Sequence, residues 1–331
     1  MGDLFDWGSG SQAERDLRYK MEMEALFEQA ARMRASQQAQ GQGGVGGGSK
    51  QGAFLVTVNT SNTSGFRIRF VTSGETSYTF VSGDADTITG TFDFGTNIFD
   101  YEYNVSDEEF QAQFIFGDPS LVTSVLVDSG RISAFSNLQV FTNLLVFDAD
   151  NNFLTSADFS GMTSLTQIDI SDCFDPVTED ECLTTVDLTG CTSLQRLFID
   201  DNEFSAGLPS LAGLTNLREL DVDGSQLSGT IDLSMLPNLE WCDLSSNPSI
   251  TNVIISSSQP IGNDDSRLDI NGASLTQESV DAILVALSEN GVTDGDYVNL
   301  SGGTSAAPSA TGLAAIEVLE DNGWNVSVNI A

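Results

Sequence analysis

Residues 129–330 repeat themselves, and a period near twenty residues restricts a chain to a stack of similar turns. Four segments align: "DFSGMTSLTQIDI" at 158–170, "DLTGCTSLQRLFI" at 187–199, "PSLAGLTNLRELDV" at 209–222 and "DLSMLPNLEWCDL" at 232–244. Each ends in LxxLxL: Leu165/Ile168/Ile170, Leu194/Leu197/Ile199, Leu217/Leu220/Val222 and Leu239/Cys242/Leu244. Three residues on from each comes a small or amide side chain, Cys173, Asn202, Ser225 and Asn247. Degenerate copies flank them at Leu144/Phe147/Ala149/Asn152 and at Leu268/Ile270/Ala273. A single turn cannot bury its own apolar face, so such an array folds as a stack with one parallel strand per turn. The Leu and Ile positions face inward, and the Asn or Cys satisfies backbone groups where the chain turns.

This pattern resembles the leucine-rich-repeat family over residues 129–300. In LxxLxL the residues between the leucines alternate outward, by the period of two in a strand. The predicted concave columns are Val146/Asp148/Asp150, Gln167/Asp169/Ser171, Arg196/Phe198/Asp200, Glu219/Asp221/Asp223 and Trp241/Asp243/Ser245. We take Asp148, Asp169, Arg196, Phe198, Asp221, Trp241 and Asp243 as the candidate binding residues, with Phe198 and Trp241 as aromatic anchors for a protein or glycan. The plainer alternative is that these carboxylates only solvate an exposed sheet.

Four unlike regions precede or close the array, giving an expected α+β multi-domain chain. Residues 1–40 contain "QAERDLRYKMEMEALFEQAARMRASQQ", rich in helix formers and free of Gly and Pro. This predicts an N-terminal helix, with Leu4, Phe5, Trp7, Leu17 and Met21 as its candidate anchor residues. Residues 41–50 read as a glycine-rich linker. Residues 51–128 hold short runs such as "FLVTVNT", "FRIRFVT" and "QAQFIFG", which predict a small antiparallel β-sandwich of the Ig/PKD-like kind. The solenoid with its parallel sheet spans 129–275, and residues 276–331 form a βα C-terminal cap. In that cap, Thr276 caps a helix over Gln277–Glu289. A second helix begins near Pro308, buries Leu313, Ile316 and Leu319, and stops at Gly323.

Chemistry is constrained as much by what is missing. The chain has no histidine and a formal net charge of −36. It therefore lacks the commonest general base and transition-metal ligand. Such acidity opposes binding to nucleic acid or to anionic membranes, and favours cations or basic partners; adaptation to a salty medium explains it equally well. "GTSAAPSATG" at 303–312 looks like a serine-protease nucleophile segment, yet no histidine can serve Ser305. No P-loop or dinucleotide fingerprint occurs, so no enzyme is expected. Four cysteines without CxxC spacing read as reduced core residues, with a Cys173–Cys182 disulfide as the alternative. No cofactor or metal is expected. The insertion at 172–186 offers Asp175, Glu179, Asp180 and Glu181 to calcium, but without EF-hand spacing.

The C-terminal run from Leu268 resembles the end cap of leucine-rich-repeat proteins encoded by bacteriophages and environmental bacteria, some of which also carry an N-terminal sandwich. The resemblance implies a non-enzymatic structural protein of a virion, on tail or capsid. It would be held to other virion proteins by the N-terminal helix and present its repeats to a host surface protein or glycan. The start of the chain lacks a basic segment followed by an apolar one, as expected for a product assembled in the host cytoplasm. The alternatives are a bacterial cell-surface or secreted adhesin and an intracellular scaffold for a basic partner.

Overall fold

The computed structural model describes residues 53–59, 65–82, 86–102, 109–127, 132–174, 183–262, 267–293 and 297–330. The predicted N-terminal helix, its anchor residues Leu4, Phe5, Trp7, Leu17 and Met21, the glycine-rich linker, Cys182 and the acidic loop residues 175–181 lie outside them.

Alternation of aromatic and polar residues builds the first eight strands. They are β1 (Ala53–Asn59), β2 (Gly65–Thr72), β3 (Thr76–Val81), β4 (Thr87–Phe92), β5 (Gly95–Glu102), β6 (Glu109–Phe116), β7 (Val122–Val127) and β8 (Ile132–Ser136). In β1, Phe54, Val56 and Val58 point inward while Leu55 and Thr57 are half-buried. One antiparallel sheet runs β4-β3-β6-β1-β8, and across it lie β5, β2 and β7. Between the layers is an aromatic core in which Phe80 meets Phe99 at 4.6 Å and Phe114 at 4.9 Å, ring centre to ring centre. Each fully buried Phe contributes about 2–3 kcal/mol, so this layer is held mainly by aromatic burial.

The solenoid follows with β9 (Val146–Asp148), β10 (Ser156–Asp158), β11 (Gln167–Asp169), β12 (Thr185–Asp187), β13 (Arg196–Phe198), β14 (Glu219–Asp221), β15 (Ser228–Asp232), β16 (Trp241–Asp243), β17 (Ser249–Ile254) and β18 (Arg267–Asp269). It closes with α1 (Gln277–Glu289), β19 (Tyr297–Asn299), α2 (Ala310–Asp321) and β20 (Asn325–Ser327). All twelve inward positions of the four aligned LxxLxL motifs are buried.

Turn-to-turn stitching is done by the residue that follows each motif. Asn247 Nδ2 donates to the carbonyls of Val222 (2.9 Å), Leu244 (3.0 Å) and Ser245 (3.0 Å), and its Oδ1 accepts from Leu227 N at 2.8 Å. Asn152 makes the same kind of bonds, Asn202 repeats the Nδ2 donations while its buried Oδ1 has no partner, and Ser225 serves one turn with a hydroxyl. The amide thus satisfies buried backbone groups that the sheet cannot reach. Cys173, Cys191 and Cys242 are all buried in the core. Cys173 donates to Ile170 O at 3.5 Å.

The sandwich and the solenoid share one sheet. β7 pairs in parallel with β9, so the sheet runs through eleven strands from β20 to β5. The core is continuous as well: Phe54 lies 5.7 Å from Phe135, Phe135 5.1 Å from Phe147, and Phe147 5.2 Å from Phe159. The sandwich therefore covers the apolar end of the first repeat, the role a capping unit must fill in any open stack.

The expected α+β class is corrected. Strands dominate the described residues, with only α1 and α2 as α-helices. Most of these repeats are short: the strand centres Phe147 and Ile168, and Leu197, Leu220 and Cys242, leave little chain for the return path, which closes through turns and the small convex ladders β10–β12 and β15–β17. Among the described residues α-helices occur only between β18, β19 and β20.

α1 starts as predicted, with Thr276 Oγ1 accepting from Ser279 N at 3.2 Å. α2 differs from expectation, since its buried residues are Gly312, Ala315 and Leu319, and Leu313 is 54% exposed. Asp281 of α1 fixes the rotation by accepting from Ser309 N (2.9 Å) and Ser309 Oγ (2.5 Å) at the start of α2. A Cβ at position 312 would collide with that carboxylate, so glycine permits the close approach.

Candidate recognition face

Each solenoid strand contributes two positions on the face opposite its inward leucine, and the parallel register stacks them into columns. Val146, Gln167, Asp148 and Asp243 are buried there rather than facing solvent as expected, and Asp169, Arg196, Phe198, Glu219, Asp221 and Trp241 are half-buried. The first column is Val146, Gln167, Arg196, Glu219 and Trp241, and Arg267 and Tyr297 extend it. The second is Asp148, Asp169, Phe198, Asp221 and Asp243, extended by Asp269 and Asn299. All seven sequence-predicted site residues thus lie on one face of one sheet. Arg267, Asp269 and Tyr297 were missed because the repeat around Leu268 lacks its leading leucine. Extending the columns by register alone would have found them.

The local reason for aspartate at the strand ends is a turn. Asp243 Oδ1 accepts from Ser245 N at 2.9 Å, Asp269 Oδ1 from Asn271 N at 2.9 Å, and Asp169 Oδ1 from Ser171 Oγ at 2.8 Å. These are Asx turns. The same work is done without charge by Asn299, whose Oδ1 accepts from Ser301 N at 3.1 Å and Ser301 Oγ at 2.7 Å. Asn299 shows that the acceptor need not be negative, and Phe198 at the same position of β13 shows that the turn forms without a side-chain acceptor.

The charges have a visible cost. Neighbouring strands are about 4.8 Å apart, and like charges facing each other across them repel. Burial pushes the Asp169 carboxyl up to about 6, helped by the charges of Asp150 and Asp172 and opposed by hydrogen bonds from Ser171. Burial also holds Asp200 well above the usual carboxylate range, with Asp169, Asp223 and Asp172 adding to it. Asp221 is raised the same way, by burial and then by Asp200, Asp243 and Asp223. Asp269 is raised by burial and Asp243, against the pull of Arg267.

Cations on the face are built into it. Arg196 Nε donates to Glu219 Oε1 at 2.9 Å. Arg267 pairs with Asp243, and its guanidinium sits 5.1 Å from the centre of the Trp241 ring. Trp241 therefore offers a stacked Arg–Trp platform rather than a bare ring. Phe198 is half-buried between Asp169 and Asp221. Ser305, the nucleophile look-alike, is buried in the C-terminal cap. Its hydroxyl donates to Ala273 O at 3.0 Å and accepts from Leu275 N at 3.1 Å, a structural use of the side chain.

Two carboxylate groupings have the reach to hold a metal ion. Asp172, Asp200 and Asp201 each bring one oxygen within 4.8 Å of the others, as do Asp200, Asp221 and Asp223. Among the described residues no helix is long and apolar enough to cross a membrane.

Neither the family models nor the curated proteins provide a match to this sequence. Among solved structures an internalin from Listeria monocytogenes is similar, with a TM-score of 0.23 and 13% identity, covering 64% of this chain and 88% of that chain. The leucine-rich-repeat architecture itself rests on this chain's own parallel register, buried motif positions and asparagine ladder.

Proposed function

We propose that this chain is a recognition protein without catalytic function, and that it binds a basic partner through the concave face. The observation that carries this reading is the acidic column. The turns need no charge, as Asn299 demonstrates, yet five of the seven positions are aspartate, and burial raises the carboxyls of Asp169 and Asp221, so that ionising them costs stability. Groups retained against the interest of folding are candidates for function. Charge of one sign along a concave surface steers a partner of the opposite sign. The Arg267–Trp241 platform and Phe198 supply the flat, semi-rigid contacts that hot spots favour.

The finer reading is a structural protein of a bacteriophage particle that meets the host surface through its repeats and is held to the particle by residues 1–40. Its support is the resemblance of the C-terminal run to phage-encoded repeat caps. Mass spectrometry of purified virions from a lysate expressing the chain tests it. Presence at a fixed copy number per particle is expected, and absence from washed particles contradicts it. For the face itself, the purified chain is expected to bind host cells in a salt-sensitive manner. The Phe198→Ala/Trp241→Ala pair should weaken that binding by about tenfold or more. Unchanged binding by the pair excludes the concave face.

A further inference from the structure

Three consecutive turns bring five carboxylates together at the rim of the concave face: Asp172 after β11, Asp200 and Asp201 after β13, and Asp221 and Asp223 at the end of β14. Asp200 belongs to both groupings. Its side chain is 5% exposed. Apart from its own backbone N–H, no donor and no cationic side chain among the described residues partners its carboxylate. Its oxygen is directed instead at four other carboxylates. A carboxyl buried without a counter-charge is costly to ionise, and a bound cation supplies the missing charge.

The backbone holds the group rigidly. Asp172 N donates to Asp200 O at 3.1 Å and Asp201 N to Asp223 O at 2.9 Å, locking the three turns together. Asp172 and Asp201 both adopt positive φ, 51° and 48°. Gly224 lies against the Asp201 carboxylate so closely that a Cβ there would collide with it. The space is therefore kept for that carboxylate by the absence of a side chain.

We propose that the rim centred on Asp200 is a binding site for a hard divalent cation of the calcium class. The donors are all oxygen, which excludes metals that seek nitrogen or sulfur. Calcium takes six to eight oxygens at about 2.3–2.6 Å, so oxygens up to about 5 Å apart can share one ion. The 4.8 Å limit within each grouping meets that span. Magnesium demands a tighter octahedron and keeps its waters, so it binds more weakly here. The acidic insertion at 175–181 plays no part in the proposal, which also stands apart from the concave-face reading: a cation can bind here whether or not a protein partner exists.

The test is calorimetric titration of the full chain, stripped with a chelator, with calcium chloride at pH 7.5 and constant ionic strength. Saturable binding is expected with a Kd of about 1 mM or tighter, together with a calcium-dependent rise in Tm that sodium chloride of equal ionic strength does not reproduce. Asp200→Asn weakens binding by about tenfold or more. Asp200→Ser does the same, and it copies the residue that the preceding turn carries at this position, Ser171, so it keeps the fold. The Tm of either variant in chelator equals or exceeds that of the wild type. The exposed Asp232→Asn leaves binding unchanged. The proposal is overturned if the wild type shows no saturable binding, or if both Asp200 variants bind with wild-type affinity. Abolished binding in Asp232→Asn would also overturn it.

Discussion

Asp169→Asn should stabilise the protein at alkaline pH, and the size of the effect follows from the site. The carboxyl titrates at about 6 in the folded chain against 3.8 for an ordinary aspartate. Between those values the folded state binds more protons than the unfolded state, so stability falls as pH rises through the window. Above it the full penalty is present, about 3 kcal/mol. At pH 4.5 it has shrunk to about 1 kcal/mol. The side chain keeps some solvent contact, and screening trims both figures.

Asparagine removes the penalty and keeps the turn, because its Oδ1 can accept from Ser171 as Asn299 accepts from Ser301. Urea unfolding in chelator, followed by circular dichroism at pH 8 and pH 4.5, measures the difference. A midpoint higher by up to about 1 M is expected at pH 8, with about a third of that shift at pH 4.5. A midpoint at pH 8 that is unchanged or lower refutes the reasoning. So does an equal shift at both pH values, because it would arise from packing and not from charge.

The asparagine ladder predicts unequal costs along the stack. Asn247→Ala strands buried carbonyls and an N–H and should cost about 3 kcal/mol or more, whereas Ser225→Ala should cost about 1 kcal/mol by the same denaturation assay. Gly312→Val drives a side chain into Asp281 and should lower Tm by several degrees, while exposed Leu313→Ser changes it little. Deletion of residues 1–40 should leave the Tm of the body unchanged and abolish incorporation into particles, read by immunoblot of purified virions.

Much of the solenoid was legible because its constraints are local and periodic. Leu194, Leu197 and Ile199 announce an inward face by spacing alone, and Asn202 marks the turn that needs an amide. Thr276 followed by a run of helix formers gave the start of α1. What was not legible depends on partners distant in sequence. Nothing in "LVTSVLV" says that β7 will pair with β9, since a parallel neighbour leaves no mark on either strand. The rotation of α2 was misread because Leu313 looks apolar in periodicity, while the deciding contact is between Gly312 and Asp281, some thirty residues apart. The α+β expectation failed because most repeats before β18 are too short to hold a helix on their return path. At the face, the register of the columns was legible as far as Trp241, but the burial of Asp148 and Asp243 was not. Asp200 and Asp223 already stood in register in those columns; what was missed is that Asp172 and Asp201, in the turns beyond the strands, come back beside Asp200.

The central claim is that recognition takes place on the concave columns, and carbodiimide footprinting tests it most directly. Carboxylates are labelled in the free chain and in the chain bound to host cells or to its isolated partner, and labelling is read by peptide mass spectrometry. The account predicts protection of the peptides carrying Asp169, Asp221 and Asp243, with the convex carboxylates Asp158, Asp187 and Asp232 labelled equally in both states. Protection confined to Asp158, Asp187 and Asp232, with the concave peptides unchanged, would contradict it.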